Sequence, residues 1–263
     1  MILNSDGAEI YYSVRGSGRP LVLLHPFPAN HRFWDGCAPL LENRYQLILP
    51  DLRAHGDSSP GTGPATMAKH AQDLARLCDA LELGRTIFAG VSIGGYVLFE
   101  FWRQFREQVA ALVLANTRAG ADSDEARLGR GKSIADVEQR GPAPFIESML
   151  GKVLGETTRR SRLDRVDAAR TMMSRMTVKG IAAALQGLAS RPDSTPTLGT
   201  IDVPTMVLAG EEDTLTPIAD AQLMHKGIRG SRLEIVPKAG HFAAFEQPEI
   251  AGRLLRSFAD ALP

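Results

Sequence analysis

The chain moves between two hydrophobic rhythms. Residues 8–16, AEIYYSVRG, alternate Ile10, Tyr12 and Val14 against polar or exposed neighbours, the period-two pattern of a half-buried strand. PLVLLH (20–25), YQLILPD (45–51), RTIFAG (85–90), ALVLAN (111–116) and VPTMVLAG (203–210) are instead short unbroken apolar runs. Such runs fit strands covered on both faces. Between them the period changes: Met67, Ala71, Leu74, Cys78 and Leu81 fall on one helical face, and Ile250, Leu254, Phe258 and Leu262 are expected to share another near the end. Strand alternating with helix predicts an α/β fold, a mostly parallel central sheet flanked by helices.

The alternation stops after ALVLANT and resumes at TIDVPTMVLAG. Residues 118–196 contain no strand pattern and read as several helices punctuated by RGPAP and RPDSTP. The expected organisation is therefore a core of residues 1–117 and 197–263, with residues 118–196 as a helical insertion between two sheet strands. The insertion holds 14 basic and 10 acidic residues, a net charge of +4. Its TTRRSRLDR stretch reads as a solvated helix face.

Composition narrows the partners. Thirty basic and thirty acidic residues cancel over the 263-residue chain, so neither nucleic acid nor an anionic membrane surface is an expected partner. Cys37 and Cys78 stand far apart, outside any disulfide, zinc or redox spacing, and read as buried free thiols. The N-terminus enters a strand pattern with no basic and apolar leader, and no apolar run approaches membrane-spanning length, so a cytoplasmic location is expected. Nothing in the sequence specifies an oligomeric state.

The chemistry concentrates at GVSIGGY, residues 90–96. An apolar strand runs straight into this stretch, and a helical pattern leaves it. A turn that sharp crowds the residues two before and two after its apex, where Gly90 and Gly94 stand. Ser92 at the apex is a candidate nucleophile, with a helix start directly behind it whose free amides, Ile93 among them, can receive an oxyanion. A serine hydroxyl needs a general base, and the base an orienting acid. His70 and His225 sit in helical patterns and His31 in a loop, whereas His241 follows the apolar run RLEIVPKAG in a strand-end loop, where sites of open α/β sheets collect. The loop after VPTMVLAG offers Glu211, Glu212 and Asp213, with Pro217 opening the next helix.

These segments resemble the α/β-hydrolase superfamily across roughly residues 8–117 and 197–263. LLHPFPAN is similar to the family's His-Gly-x-Pro oxyanion loop, with Pro26 in place of glycine; the resemblance makes Phe27 the second oxyanion amide. PDLRAHGDS resembles the Asp-x-Arg-Gly-x-Gly-x-Ser turn, with Ala54 for a glycine, which implies a supporting role for Asp51, Arg53 and His55. GVSIGG matches the nucleophile elbow, and GEEDTLTP and AGHFAAFEQPE the acid and histidine loops, which selects Asp213 as the acid and leaves Glu211 and Glu212 to solvent. The chain order Ser92, Asp213, His241 is the family's.

The resemblance implies that the insertion is a cap, and its LANTRAGADSDEARLGRGK phrase looks most like small bacterial carboxylesterases and the 3-oxoadipate enol-lactonase-like hydrolases of aromatic catabolism. The implied activity is a serine hydrolase cleaving small or aryl carboxylic esters through an acyl-enzyme, needing neither metal nor organic cofactor, with a small-molecule ester or lactone as its partner. An enol-lactone hydrolase, a cofactor-free perhydrolase of the non-haem haloperoxidase kind, and a non-catalytic small-molecule binder on the same fold are the alternatives. Phe145, Ile146, Met149 and Met172 are the candidate pocket walls, taken from an apolar set that also includes Leu150, Met173 and Met176; the helical spacing of all seven equally fits packing of cap on core.

Overall fold

The continuous apolar runs become strands because each is covered on both faces. The computed structural model describes residues 1–262, and in chain order its strands are β1 (Ile2–Ser5), β2 (Ala8–Arg15), β3 (Arg19–Leu24), β4 (Tyr45–Pro50), β5 (Thr86–Val91), β6 (Val109–Ala115), β7 (Thr205–Gly210) and β8 (Arg232–Val236). They lie side by side in the order β1, β2, β4, β3, β5, β6, β7, β8. The β1–β2 and β2–β4 pairings are antiparallel and all later ones parallel. β5 and β7 are buried along their whole length, as the runs TIFAGV and TMVLAG require. The pairings Leu24 with Gly90, and Gly90 with Leu114, bring the carboxyl ends of β3, β5 and β6 level, so the loops that leave them converge.

Helices α1 (Ala38–Leu41), α2 (Met67–Ala80) and α3 (Ile93–Phe105) precede the insertion. In α2 the expected stripe is the buried one: Met67, Ala71, Leu74 and Cys78 face the core, and the Thr66 hydroxyl caps the start by accepting from the Lys69 amide.

Between β6 and β7 the described residues form helices and no strand. α4 (Asp124–Arg140), α5 (Pro142–Val153), α6 (Glu156–Ser161), α7 (Leu163–Met173) and α8 (Val178–Ala189) follow one another, and a short 3₁₀ turn, Thr195–Thr200, leads back to the sheet. RGPAP is the α4–α5 corner, with Gly141 at φ 78° and Pro142 opening α5. α8 lies against the core through its glycines: a Cβ on Gly180 would stand 2.5 Å from the Ala54 carbonyl oxygen.

After β7 come α9 (Ile218–Gly227), α10 (Ala243–Glu246) and α11 (Pro248–Asp260). The stripe expected on α11 is displaced. Ile250 is 37% exposed, and the buried face is Ala251, Gly252, Leu255, Phe258 and Ala259. Small residues decide it: a Cβ on Gly252 would come 2.6 Å from Leu40 Cδ1, so α11 approaches α1 through positions that a search for large apolar side chains passes over. Among the described residues no helix is long and apolar enough to cross a membrane.

Candidate active site

The β5–α3 turn puts Ser92 in a backbone state that few serines occupy, φ 54° and ψ −112°. Its amide donates to the Ala115 carbonyl (3.0 Å), and its own carbonyl accepts from the Thr117 hydroxyl (2.8 Å) and the Tyr96 amide (3.1 Å). These bonds pin the apex on both sides. Glycine is required beneath it: a Cβ on Gly90 would lie 2.5 Å from the Gly94 carbonyl carbon, and one on Gly94 would lie 2.9 Å from the Leu24 carbonyl oxygen. The backbone of α3 therefore crosses directly over β5 and β3, and the serine is lifted to the strand ends.

His241 and Asp213 arrive there from the loops after β8 and β7. His241 Nδ1 donates to Asp213 Oδ2 at 2.9 Å, and both side chains are buried. With Nδ1 carrying the proton, Nε2 is the acceptor end of the ring. Asp213 is heavily solvated by the protein itself. Its Oδ1 accepts from the amides of Leu215 (2.8 Å) and Thr216 (3.0 Å), and its Oδ2 also accepts from Asn116 Nδ2 (2.8 Å) and the Thr216 hydroxyl (2.7 Å). Burial pushes this carboxyl up, but the facing His241 and the surrounding donors outweigh it and hold it at about 2.

Asn116 and Thr216 are site residues that the sequence reading missed. Asn116 takes a positive φ of 42° directly after β6, a conformation that asparagine tolerates better than most residues, and its placement at a strand's carboxyl end was the available signal. Thr216 lies three residues after Asp213, within the loop already singled out.

Ser92 and His241 both open on one cavity of about 710 Å³ between the strand ends and the insertion. No hydrogen bond joins the Ser92 hydroxyl to His241 among the described residues, so the two face a common space. Phe27, Tyr96, Phe145, Met149, Leu185 and Leu188 form much of its wall. Two expected wall residues are elsewhere. Ile146 and Met172 are 3% and 5% exposed and pack into the core with Leu150, Met173 and Met176. On α5 consecutive residues point about 100° apart, so Phe145 and Met149 face the cavity while Ile146 and Leu150 face inward. α7 carries Met172 behind the loop after β3, where its carbonyl accepts from Asn30 Nδ2 (3.2 Å).

The two amides expected to receive an oxyanion, those of Ile93 and Phe27, lie beside Ser92 and the cavity. Ile93 opens α3, so its N–H is one of those that a helix start leaves unpaired. Phe27 follows β3, and no hydrogen bond from its N–H reaches another described residue. Pro26 removes an amide from that loop without removing this one. His25 braces the loop: Leu52 N–H donates to its Nε2 (2.9 Å), and Nδ1 donates to the Pro26 carbonyl (2.9 Å). Burial lowers its basicity, and an Nε2 that accepts from the Leu52 amide carries no proton.

The Asp51–Ser58 turn is a brace, with no member in the cavity wall. Asp51 accepts from His31 at both the amide (2.6 Å) and Nδ1 (2.8 Å) and from the Asp57 amide (2.8 Å). A ring nitrogen of His31 and carboxylate oxygens of Asp51 and Asp57, atoms of the kind that can ligate a metal, lie within 4.8 Å of one another, while Asp57 pairs with Arg175. Arg53 forms a buried pair with Asp73 (2.6 Å). Glu211 is exposed as expected, but Glu212 is not a solvated residue. It is half-buried and accepts from the Thr157 amide (2.8 Å), because α6 begins against the acid loop. Arg159 and Arg160 of TTRRSRLDR are exposed, and Arg160 pairs with Glu156 along the helix.

Comparison with known proteins bears on this arrangement. The model of the α/β-hydrolase fold family matches residues 19–248. The solved structure of a thermophilic esterase from Thermogutta terrifontis, with malate bound, is 34% identical, covers 100% of this chain and 99% of its own, and superposes with a TM-score of 0.96. A Bacillus subtilis protein named provisionally as a 2-succinyl-6-hydroxy-2,4-cyclohexadiene-1-carboxylate synthase is 31% identical over 97% of this chain and 96% of its own length. The 3-oxoadipate enol-lactonase 2 of Acinetobacter baylyi is 26% identical over 94% and 91%. With the sheet order, the strained serine between β5 and α3 and a family match across most of its length, the chain belongs to the α/β-hydrolase fold family.

Proposed function

We propose that the protein is a serine hydrolase of carboxylic esters acting through an acyl-enzyme. Ser92 attacks the carbonyl while His241 Nε2 takes its proton. Asp213, held ionised, keeps the imidazole in the tautomer that can accept and stabilises it once charged. The amides of Phe27 and Ile93 receive the oxyanion; in sites of this type one donor contributes about 2.7 to 4 kcal/mol of transition-state stabilisation. The C–O bond to the alcohol breaks as His241 returns the proton to the leaving oxygen. Water then attacks the acyl group by the same route and frees the acid and the serine.

The observation that carries the proposal is the meeting of a serine at φ 54° with the Asp213-bound His241 in one cavity wall. The apolar part of that wall, from Phe27 to Leu188, suits small or aryl acyl groups. Small esters should be hydrolysed fastest within a graded acyl series, and Ser92→Ala should abolish turnover while leaving the melting temperature near that of the parent. Best rates on long acyl chains, or substantial turnover by the alanine variant, would contradict this reading.

A lactone is the second reading, supported by the enol-lactonase of Acinetobacter. The chemistry is the same, except that the alcohol stays attached to the product. Since the Bacillus relative is named as a synthase, release of acid carrying oxygen-18 from labelled water separates hydrolysis from any reaction that uses the serine otherwise.

A further inference from the structure

Arg118 stands in the same cavity wall as Ser92 and His241, without a counter-ion. It comes three residues after β6, next to Asn116, which holds Asp213, and Thr117, which holds the Ser92 carbonyl. The side chain is half-buried beside Tyr96, and its Nη2 donates to a neutral partner, the Leu215 carbonyl (3.1 Å). Its Nε is buried with no partner. Among the described residues no carboxylate makes an ion pair with it. Asp122 and Asp220 attract it from a distance, but Asp122 is already engaged by Arg130 (2.5 Å) and Arg191 (3.0 Å).

The rest of the wall has the same sign. Among the described residues, Lys132 and Lys152 are exposed at the cavity and make no ion pair, while Arg140 pairs with Asp136, the one acidic residue in the wall. A chain of zero net charge has thus gathered five cations against one acid around this space. A half-buried guanidinium that has lost water and gained no opposite charge favours an anion that brings one, and the lysines raise the local concentration of such an anion.

We propose that the cavity takes esters or lactones bearing a second, free carboxylate, which Arg118 holds while Lys132 and Lys152 draw it in. The proposal rests on the reading of Ser92 as nucleophile, and it fixes the substrate class of that site. A planar carboxylate matches the N–H donors along one guanidinium edge, whereas a phosphate dianion calls for more donors than Arg118 supplies.

Monoethyl glutarate and diethyl glutarate form the test pair, followed by acid release in a pH-stat. The native protein should prefer the monoester in kcat/KM by about tenfold, chiefly through KM, and Arg118→Gln should shift that ratio about tenfold toward the diester. Arg118→Lys should retain part of the preference. A measurement on the native protein covers a variant that fails to fold: raising KCl from about 0.05 to about 0.5 M should erode turnover of the monoester far more than that of the diester. Diester turnover with no preference and no salt effect would overturn the proposal and leave the hydrolase reading standing. If neither ester is cleaved by folded protein and a fluorophosphonate leaves Ser92 unmodified, the hydrolase reading fails. Calorimetry with glutarate then decides the anion site, which requires binding by the native protein at least about tenfold tighter than by Arg118→Gln. Competition by inorganic phosphate but not by glutarate would refute the carboxylate assignment.

Discussion

Asp213 has more donors aimed at it than any other carboxylate near the cavity, and two consequences follow from its being held as the anion. Asp213→Asn should lower kcat by a factor on the order of 10³ to 10⁴, because an amide cannot hold His241 in the accepting tautomer. The second consequence is in stability. A carboxyl held at about 2 against an ordinary value of 3.8 contributes stability above the unfolded value, and this is lost as pH falls through the folded one. Urea unfolding at pH 5 and near pH 2 should show about 2 kcal/mol less pH dependence in the asparagine variant. An unchanged dependence would mean that the acid is not strongly held. Ser92 is strained in the opposite sense. Ser92→Gly should be more stable than Ser92→Ala by about 1 kcal/mol, since glycine occupies φ 54° without a Cβ clash; equal stabilities would mean that the turn stores no strain. Neither Asn116 nor Thr216 was legible as a partner of Asp213, whereas Ser92, Asp213 and His241 each stood at a strand end that the apolar runs already marked. Asn116 is 97 residues from Asp213 in the chain, and only the packing of β6 beside β7 brings them together.

Among the elements, β5 and α3 carry the account, and their contact is the one most sensitive to a single methyl group. Gly90→Ala places that methyl 2.5 Å from the α3 backbone, which has no side-chain end that can swing aside, so the cost should be about 3 kcal/mol in urea unfolding. A variant as stable as the parent would show that the turn is looser than its geometry states. The strands were readable because two-sided burial leaves unbroken apolar runs. The stripe of α2 was readable because large residues form it. α11 was misread for the converse reason: Ala251 and Gly252 pack closest and carry the weakest hydrophobic signal. On α5 the spacing located a helix but not its orientation, which turns Phe145 and Met149 toward the cavity and Ile146 away from it.

At the scale of the whole molecule, the insertion is fastened to the loop that carries His241. Glu246 accepts from the amides of Gly155, at the start of α6, and Gly240, one residue before His241, both at 2.8 Å. Burial raises this carboxyl's affinity for a proton, against the pull of those donors. Glu246→Gln leaves one acceptor for two amides and should cost about 1 to 3 kcal/mol in urea unfolding; an unaffected midpoint would remove the fastening from the account. The net +4 of the insertion was visible in the sequence, and its distribution was not. Arg159 and Arg160 face solvent, yet Arg130, Lys132, Arg140 and Lys152 line the cavity, because α4 and α5 turn one charged edge toward the strand ends.

The central claim is covalent, and active-site labelling addresses it directly. Folded protein treated with a fluorophosphonate and digested for mass spectrometry should carry the adduct on the peptide that contains Ser92, with loss of turnover in step with labelling. Protein that cleaves esters while its Ser92 peptide stays unmodified would contradict the account.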